Sequence, residues 1–193
     1  MFPFDFEKTC QIAAYLLNRE PTRAMNYTKV IKLLYLADRE SLAETGEPMT
    51  GDEPVVMDNG PVLSRVYDCL KPPEQTEGLP QDRRVIRKRW EQFFRTDGHD
   101  LVLETEPGEG ALCQYETEKL ADIWDRNKDK TCWDLIDETH ELPEVKCNKP
   151  RRGGRRPILL RHILQAIGLD EAQAQDIEGD AREAQRFATL FGG

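Results

Sequence analysis

The sequence predicts a mostly α protein of the α+β class: a compact helical bundle with a small antiparallel sheet and a C-terminal helical extension. Two apolar stripes at helical spacing lie within residues 25–70, separated by a short β-branched run. The first stripe is apolar over so wide a face that neighbours must enclose it. Later segments open on capping residues and repeat apolar side chains at the same spacing. A chain of 193 residues suits one domain, or one domain with a helical appendage, and can bury a core without disulfides.

Asp5 caps a first helix over residues 6 to about 18, with Phe6, Cys10, Ala13, Ala14 and Leu17 on its inner face. Pro21 ends it, and residues 19–24 form a hinge short enough to make the next helix an antiparallel neighbour. Asn26 caps that central helix, with Met25 and Val30 as a hydrophobic staple. Its Val30, Ile31, Leu33, Leu34, Tyr35, Leu36 and Ala37 leave only Lys29, Lys32 and the 38–40 end clearly polar. Pro54–Met57, bounded by Gly51-Asp52 and Asn59-Gly60, reads as an edge strand opened by proline. Gly60-Pro61 is expected to open a helix, with proline at the first helical position and Val62, Leu63, Val66, Tyr67 and Leu70 as its stripe.

Paired proline within residues 71–80 predicts an exposed loop. The basic run at 83–89 leads into Trp90, Phe93 and Phe94; it reads as a short strand or helix with solvated arginines, or as a binding surface. Residues 98–104 give a turn and a strand, closed by residues 107–110. With Pro54–Met57 and Val85-Ile86 this strand makes the small antiparallel sheet. Thr117 caps a helix carrying Leu120, Ile123 and Trp124, and Thr131-x-x-Asp134 fits a capping box for the next, which carries Cys132, Leu135 and Ile136 and ends at His140. Residues 146–161 hold seven basic residues and no acidic one, and Pro150, Gly153, Gly154 and Pro157 favour a mobile loop. A helix over 158–167 stops at Gly168. Asp170 caps the last helix, where Ile177, Ala181, Ala184 and Ala188 form a stripe beside Phe187 and Leu190. The expected organisation is a unit over 1–145, with the basic loop and C-terminal helices of 146–193 packed on it.

Several of these residues fall in a familiar order. Asn26-Tyr27, then Lys32-Leu33-Leu34-Tyr35-Leu36-Ala37-Asp38-Arg39, then Gly46-x-Pro48-Met49-Thr50-Gly51-Asp52, then Met57-x-x-Gly60-Pro61-Val62-x-Ser64-x-x-Tyr67 resembles the Panacea-domain family, also described as SocA-like antitoxins and phage-associated proteins. The resemblance reaches upstream to Phe6-x-Lys8 and residues 13–17, and downstream to Leu120 and His140-x-x-Pro143. It departs from the family after His140, where Glu141-Leu142-Pro143-Glu144-Val145 has no tryptophan. The resemblance implies an antitoxin of bacteria or their phages, which binds and neutralises a cognate protein toxin encoded nearby. The motif positions are Asn26, Tyr27, Lys32, Leu34, Tyr35, Asp38, Gly51, Asp52, Met57, Gly60, Pro61, Ser64, Tyr67 and His140; they are read as scaffold, with no reaction centre among them.

Composition narrows the function classes. A third of the chain is charged and the formal balance is −9, which argues for a soluble protein and against non-specific adhesion to nucleic acid or anionic lipid. No apolar run reaches bilayer length, and the N-terminus lacks the form of a signal peptide. Five scattered cysteines make no disulfide framework, so a reducing cytoplasm is expected. Cys113, Cys132, His140 and Cys147 lack the paired spacing of a zinc site, and no metal or cofactor is expected. His99, His140 and His162 stand in separate contexts, no serine lies in a nucleophile elbow and no phosphate loop is present, so no catalytic residue is assigned and no enzyme is expected. The candidate partner-binding residues are Trp90, Arg151, Arg152, Arg155, Arg156 and Phe187, arginine and aromatics being the usual interface anchors. The plainer alternative places Trp90 and Phe187 in the chain's own core. A competing function, a DNA-binding regulator, would use the basic segments 83–89 and 146–161 as an electrostatic footprint. Delivery of a bound toxin to a protease through the Leu190-Phe191-Gly192-Gly193 end is a further mechanism that no sequence feature favours.

Overall fold

Helix α2 (Tyr27–Thr45) runs through the middle of the protein. Asn26 caps it, accepting from Thr28 N at 3.0 Å, and Gly46, at φ +80°, closes it in the left-handed conformation that glycine adopts without strain. Between the caps Val30, Leu33, Leu34 and Ala37 are wholly buried, as the wide apolar face requires. Helix α1 (Phe6–Leu17), capped by Asp5 as expected, packs against α2, as do α5 (Gln114–Asn127) and α6 (Cys132–His140). The computed structural model describes residues 1–71 and 76–191. It shows the mostly α, α+β architecture with antiparallel strands and a long C-terminal helix, α9 (Glu171–Phe191).

Among the described residues the strands form two three-stranded sheets where the sequence suggested one. The first orders β1 (Ala24–Asn26), β5 (Asp100–Leu103) and β4 (Phe94–Asp97), with Met25 opposite Leu101 and Thr96 opposite the same residue. Val85 and Ile86 take no part, because they lie within helix α4 (Gln81–Trp90). The second sheet orders β3 (Gly60–Leu63), β2 (Pro54–Met57) and β6 (Arg156–Pro157). Strand β2 is therefore central and not an edge. Proline is tolerated there as the first residue, and its carbonyl accepts from Ile158 N at 2.9 Å.

The Gly60-Pro61 reading is also corrected. These residues open β3, and helix α3 (Ser64–Leu70) starts three residues beyond Pro61. Met57 pairs with Gly60 across a two-residue turn, and Pro61 faces Val56 on an edge strand, where a missing N–H does little harm. The apolar stripe could not tell strand from helix, because all four residues of β3 are buried on both faces.

Three other boundaries shift. Thr117 sits inside α5, which begins after Cys113; the Glu116 side chain turns back to accept from Cys113 N at 2.8 Å. The 158–167 helix is α8 (Leu160–Ala166), because Ile158 is taken up by its bond to β2. The 146–161 segment is anchored at several points and is not a free loop. It starts in α7 (Pro143–Lys146), Gly153 N donates to both Asp58 carboxylate oxygens at 3.1 and 3.0 Å, and β6 pairs with β2. The Thr131–Asp134 capping box and the Gly168 stop, at φ +90°, are present. Of the exposed loop read over 71–80, residues 72–75 lie outside the described residues. Ile158, Ile163, Leu164, Ala174 and Ala181 join the same core cluster as α1 and α2.

Candidate protein-binding groove

Four buried polar contacts lock the elements around α2. Lys32 is completely buried, and its Nζ donates to Pro61 O at 2.8 Å and to Asn59 O, so it holds the β2–β3 turn from below. Burial pushes its ammonium down to about 7. Gly60, at φ +84°, lets that turn approach: a Cβ there would lie 2.9 Å from Lys32 Nζ and 3.0 Å from His140 Cδ2. One turn further along α2, Tyr35 Oη and Arg39 Nε donate to the same Glu144 oxygen, at 2.9 and 2.6 Å. The Asp38 carboxylate accepts from Thr50 N at 2.8 Å and from Thr50 Oγ1 at 2.5 Å, and burial pushes it up to about 7.

Asp52 makes the fourth. Leu63, the residue before α3, offers no side-chain cap, and Asp52 reaches in from the preceding connection instead. Its carboxylate accepts from Arg65 N at 2.8 Å, Val66 N at 3.1 Å and Glu53 N at 2.7 Å. Gly51 beside it, at φ +64°, lies so close to the N-terminal segment that a Cβ would sit 2.0 Å from Pro3 O. The remaining motif positions are packing residues: Leu34 is fully buried, Tyr27, Met57 and Tyr67 are half-buried against the core, and Asn26 is the α2 cap. Tyr35 and Arg39 share Glu144, whereas Asp38 pairs with Thr50 and Ser64 with Arg83, so the four do not converge on one centre.

Ser64, the first residue of α3, marks a different kind of place. It lines an open groove of ≈ 860 Å³ walled by α3, α4, the 155–161 segment and α9. Its Oγ accepts from Arg83 Nη1 at 2.9 Å and from Arg155 Nη2, so the two basic segments read from the sequence meet on one hydroxyl. Asp68, one turn along, faces Lys71 Nζ at 2.8 Å, Arg83 Nη1 at 3.3 Å and Arg155 Nη1 at 3.6 Å. Three cations on one nearly buried carboxylate leave positive charge in excess, relieved in part by Glu53, 3.2 Å from Arg83. The floor is apolar, including Pro54, Val55 and Pro157, and Leu159 at the margin is 58 % exposed.

The sequence candidates separate accordingly. Arg155 lines the groove; Arg151, Arg152 and Arg156, on the same 146–161 segment, are exposed and are not among its lining residues. Trp90 is corrected: it is 2 % exposed and stacks on Phe94 with ring centroids 4.2 Å apart, so no partner can reach it. Phe187 is 65 % exposed and pairs with Phe191 at 4.6 Å, outside the groove lining. The tail considered for a protease contact has Leu190 and Phe191 exposed; residues 192 and 193 lie outside the described residues. Asp68 and Arg182 were not singled out from the sequence. The basic run at 83–89 was the available signal for Arg83, and nothing local marked Asp68.

A small α+β scaffold, locked by internal polar contacts and carrying a cationic groove on one face, is what fold and site define. The chain belongs to the antitoxin SocA-like, Panacea domain family, whose model matches residues 30–144. No curated protein and no solved structure matches it. The matched span contains all four locks but only one side of the groove: Ser64, Asp68 and Arg83 lie inside it, while Arg155, Arg161 and Arg182 lie beyond. Among the described residues no helix is long and apolar enough to cross a membrane.

Proposed function

We propose that this protein is the antitoxin of a toxin–antitoxin pair, acting in the cytoplasm by holding a cognate protein toxin in a stoichiometric complex, with no chemistry of its own. The observation that carries the reading is where the motif side chains go. Lys32, Tyr35, Asp38 and Asp52 are each occupied by an internal partner, which makes a stiff platform and leaves the exposed groove and α9 for contact with another protein. A preorganised surface loses little conformational freedom on binding, which favours a tight complex. The test is co-expression with the product of the adjacent gene. Restored growth together with co-purification of the pair is expected; absence of both overturns the reading.

A second reading, a DNA-binding regulator, draws on the meeting of the two basic segments at Ser64. Much of that charge faces inward: Arg83 pairs with Asp68 and Glu53, and Arg87 donates to Lys71 O and Asp68 O. This reading requires binding to the protein's own promoter fragment that weakens steeply with salt.

A further inference from the structure

We propose that the groove between α3, α4, the 155–161 segment and α9 is the docking site for an acidic, partly apolar segment of the partner protein. It would take a carboxylate against Arg155 and Arg182 and an aliphatic or aromatic side chain against the Pro54–Pro157 floor. The proposal rests on the antitoxin reading and names the chemistry of its partner.

Charge is the first argument. The chain as a whole is acidic, at −9, yet four arginines line this groove against three carboxylates. The carboxylates are already engaged: Glu53 with Arg83, Asp68 with three cations, Glu178 with Arg161 at 2.9 Å. Arg182 is the one charged side chain of the lining that makes no hydrogen bond or ion pair to any described residue. A guanidinium fork left open in this way matches a carboxylate in two parallel hydrogen bonds. Arg155 is held toward the same space by Ser64 and Asp68, with its side chain still 35 % exposed.

The floor is the second argument. At ≈ 860 Å³ the groove lies within the roughly 300–1,000 Å³ range of sites that enclose a ligand. Leu159 stands at its margin with more than half its surface in water, and covering it removes apolar area from solvent. Nucleic-acid surfaces are more polar and more uniformly positive than this one. An acidic segment carrying an apolar anchor satisfies both the open cation and the floor.

The test uses the full chain in two arms. In the first, random twelve-residue peptides are selected on the immobilised protein, and the strongest are remade and titrated. Selected peptides should pair Asp or Glu with Leu, Ile or Phe. Arg182→Glu and Arg155→Ala should each weaken them at least tenfold, and Lys128→Glu, at the end of α5 outside the groove, should leave them unchanged. Arg182→Glu breaks no hydrogen bond or ion pair to a described residue, so its thermal midpoint should match the wild type and a lost affinity is not a folding effect. Neutral or basic peptides, unchanged affinity in Arg182→Glu, or displacement of the peptide by a short DNA duplex would each overturn the proposal. The second arm repeats the growth rescue with the adjacent gene's product. Rescue lost in Arg182→Glu supports the groove. Equal rescue by wild type and variant overturns the groove and leaves the antitoxin reading standing. No rescue by the wild type removes the antitoxin reading, and the peptide arm then judges the groove alone.

Discussion

Replacing Asp52 by alanine tests whether the platform depends on a cap supplied from another segment. Asp52 is 2 % exposed, and its carboxylate serves the backbone N–H groups of Glu53, Arg65 and Val66 and, at 3.3 Å, the Arg65 guanidinium. Losing an N-cap side chain costs about 1 kcal/mol. The Val66 N–H, left buried without an acceptor, adds about 1–3 kcal/mol. Against this, burial pushes the Asp52 carboxyl pKa up, so removing the carboxylate also relieves an unfavourable desolvation that offsets part of the loss. The expected net loss is about 2 kcal/mol, and a chain of this length converts that to a fall of roughly 4–8 °C in Tm. Asp52→Asn keeps one acceptor oxygen and should lose about half as much. Urea titrations with unchanged slope, read beside calorimetry, give both values. Stability within about 0.5 kcal/mol of wild type in the alanine variant would refute the reasoning, because α3 would then need no cap from outside.

Asp38 should give the protein a measurable pH dependence. Its folded pKa is raised from 3.8 to about 7, so over that window the folded chain keeps a proton that the unfolded chain has released, and stability falls as pH rises. Urea midpoints between pH 4 and 7.5 should show this slope in the wild type. Asp38→Asn should make it shallower, with Asp52, shifted in the same direction, still contributing; an unchanged slope would count against the assignment. Trp90→Ala and Phe187→Ala should separate core from surface. The first should cost about 3–5 kcal/mol by opening a cavity beside Phe94, and the second less than about 0.5 kcal/mol, both read from urea unfolding.

What the residues declared on their own was local. The caps at Asp5, Asn26 and Thr131 and the stop at Gly168 could be placed because each acts on amides or carbonyls within four residues of itself. The wide apolar face of α2 was equally legible, since burial on every side leaves no room for a polar stripe. Strands β1 and β4 escaped because neither carries an apolar β-branched run like that of β2, and each exists only by virtue of its partner. Gly60-Pro61 was misread as a helix start because proline suits a helix opening and an edge strand alike, and only the pairing of β3 with β2 decides between them. The groove lay furthest from the sequence. Asp52 caps residues 13 and 14 positions away, and Arg155 reaches Ser64 across 91, distances over which no pattern of side chains carries information. Chain chemistry alone thus determined the helices and their starts; folding decided which charges meet, because ion pairs between remote segments form only when the core brings their backbones together.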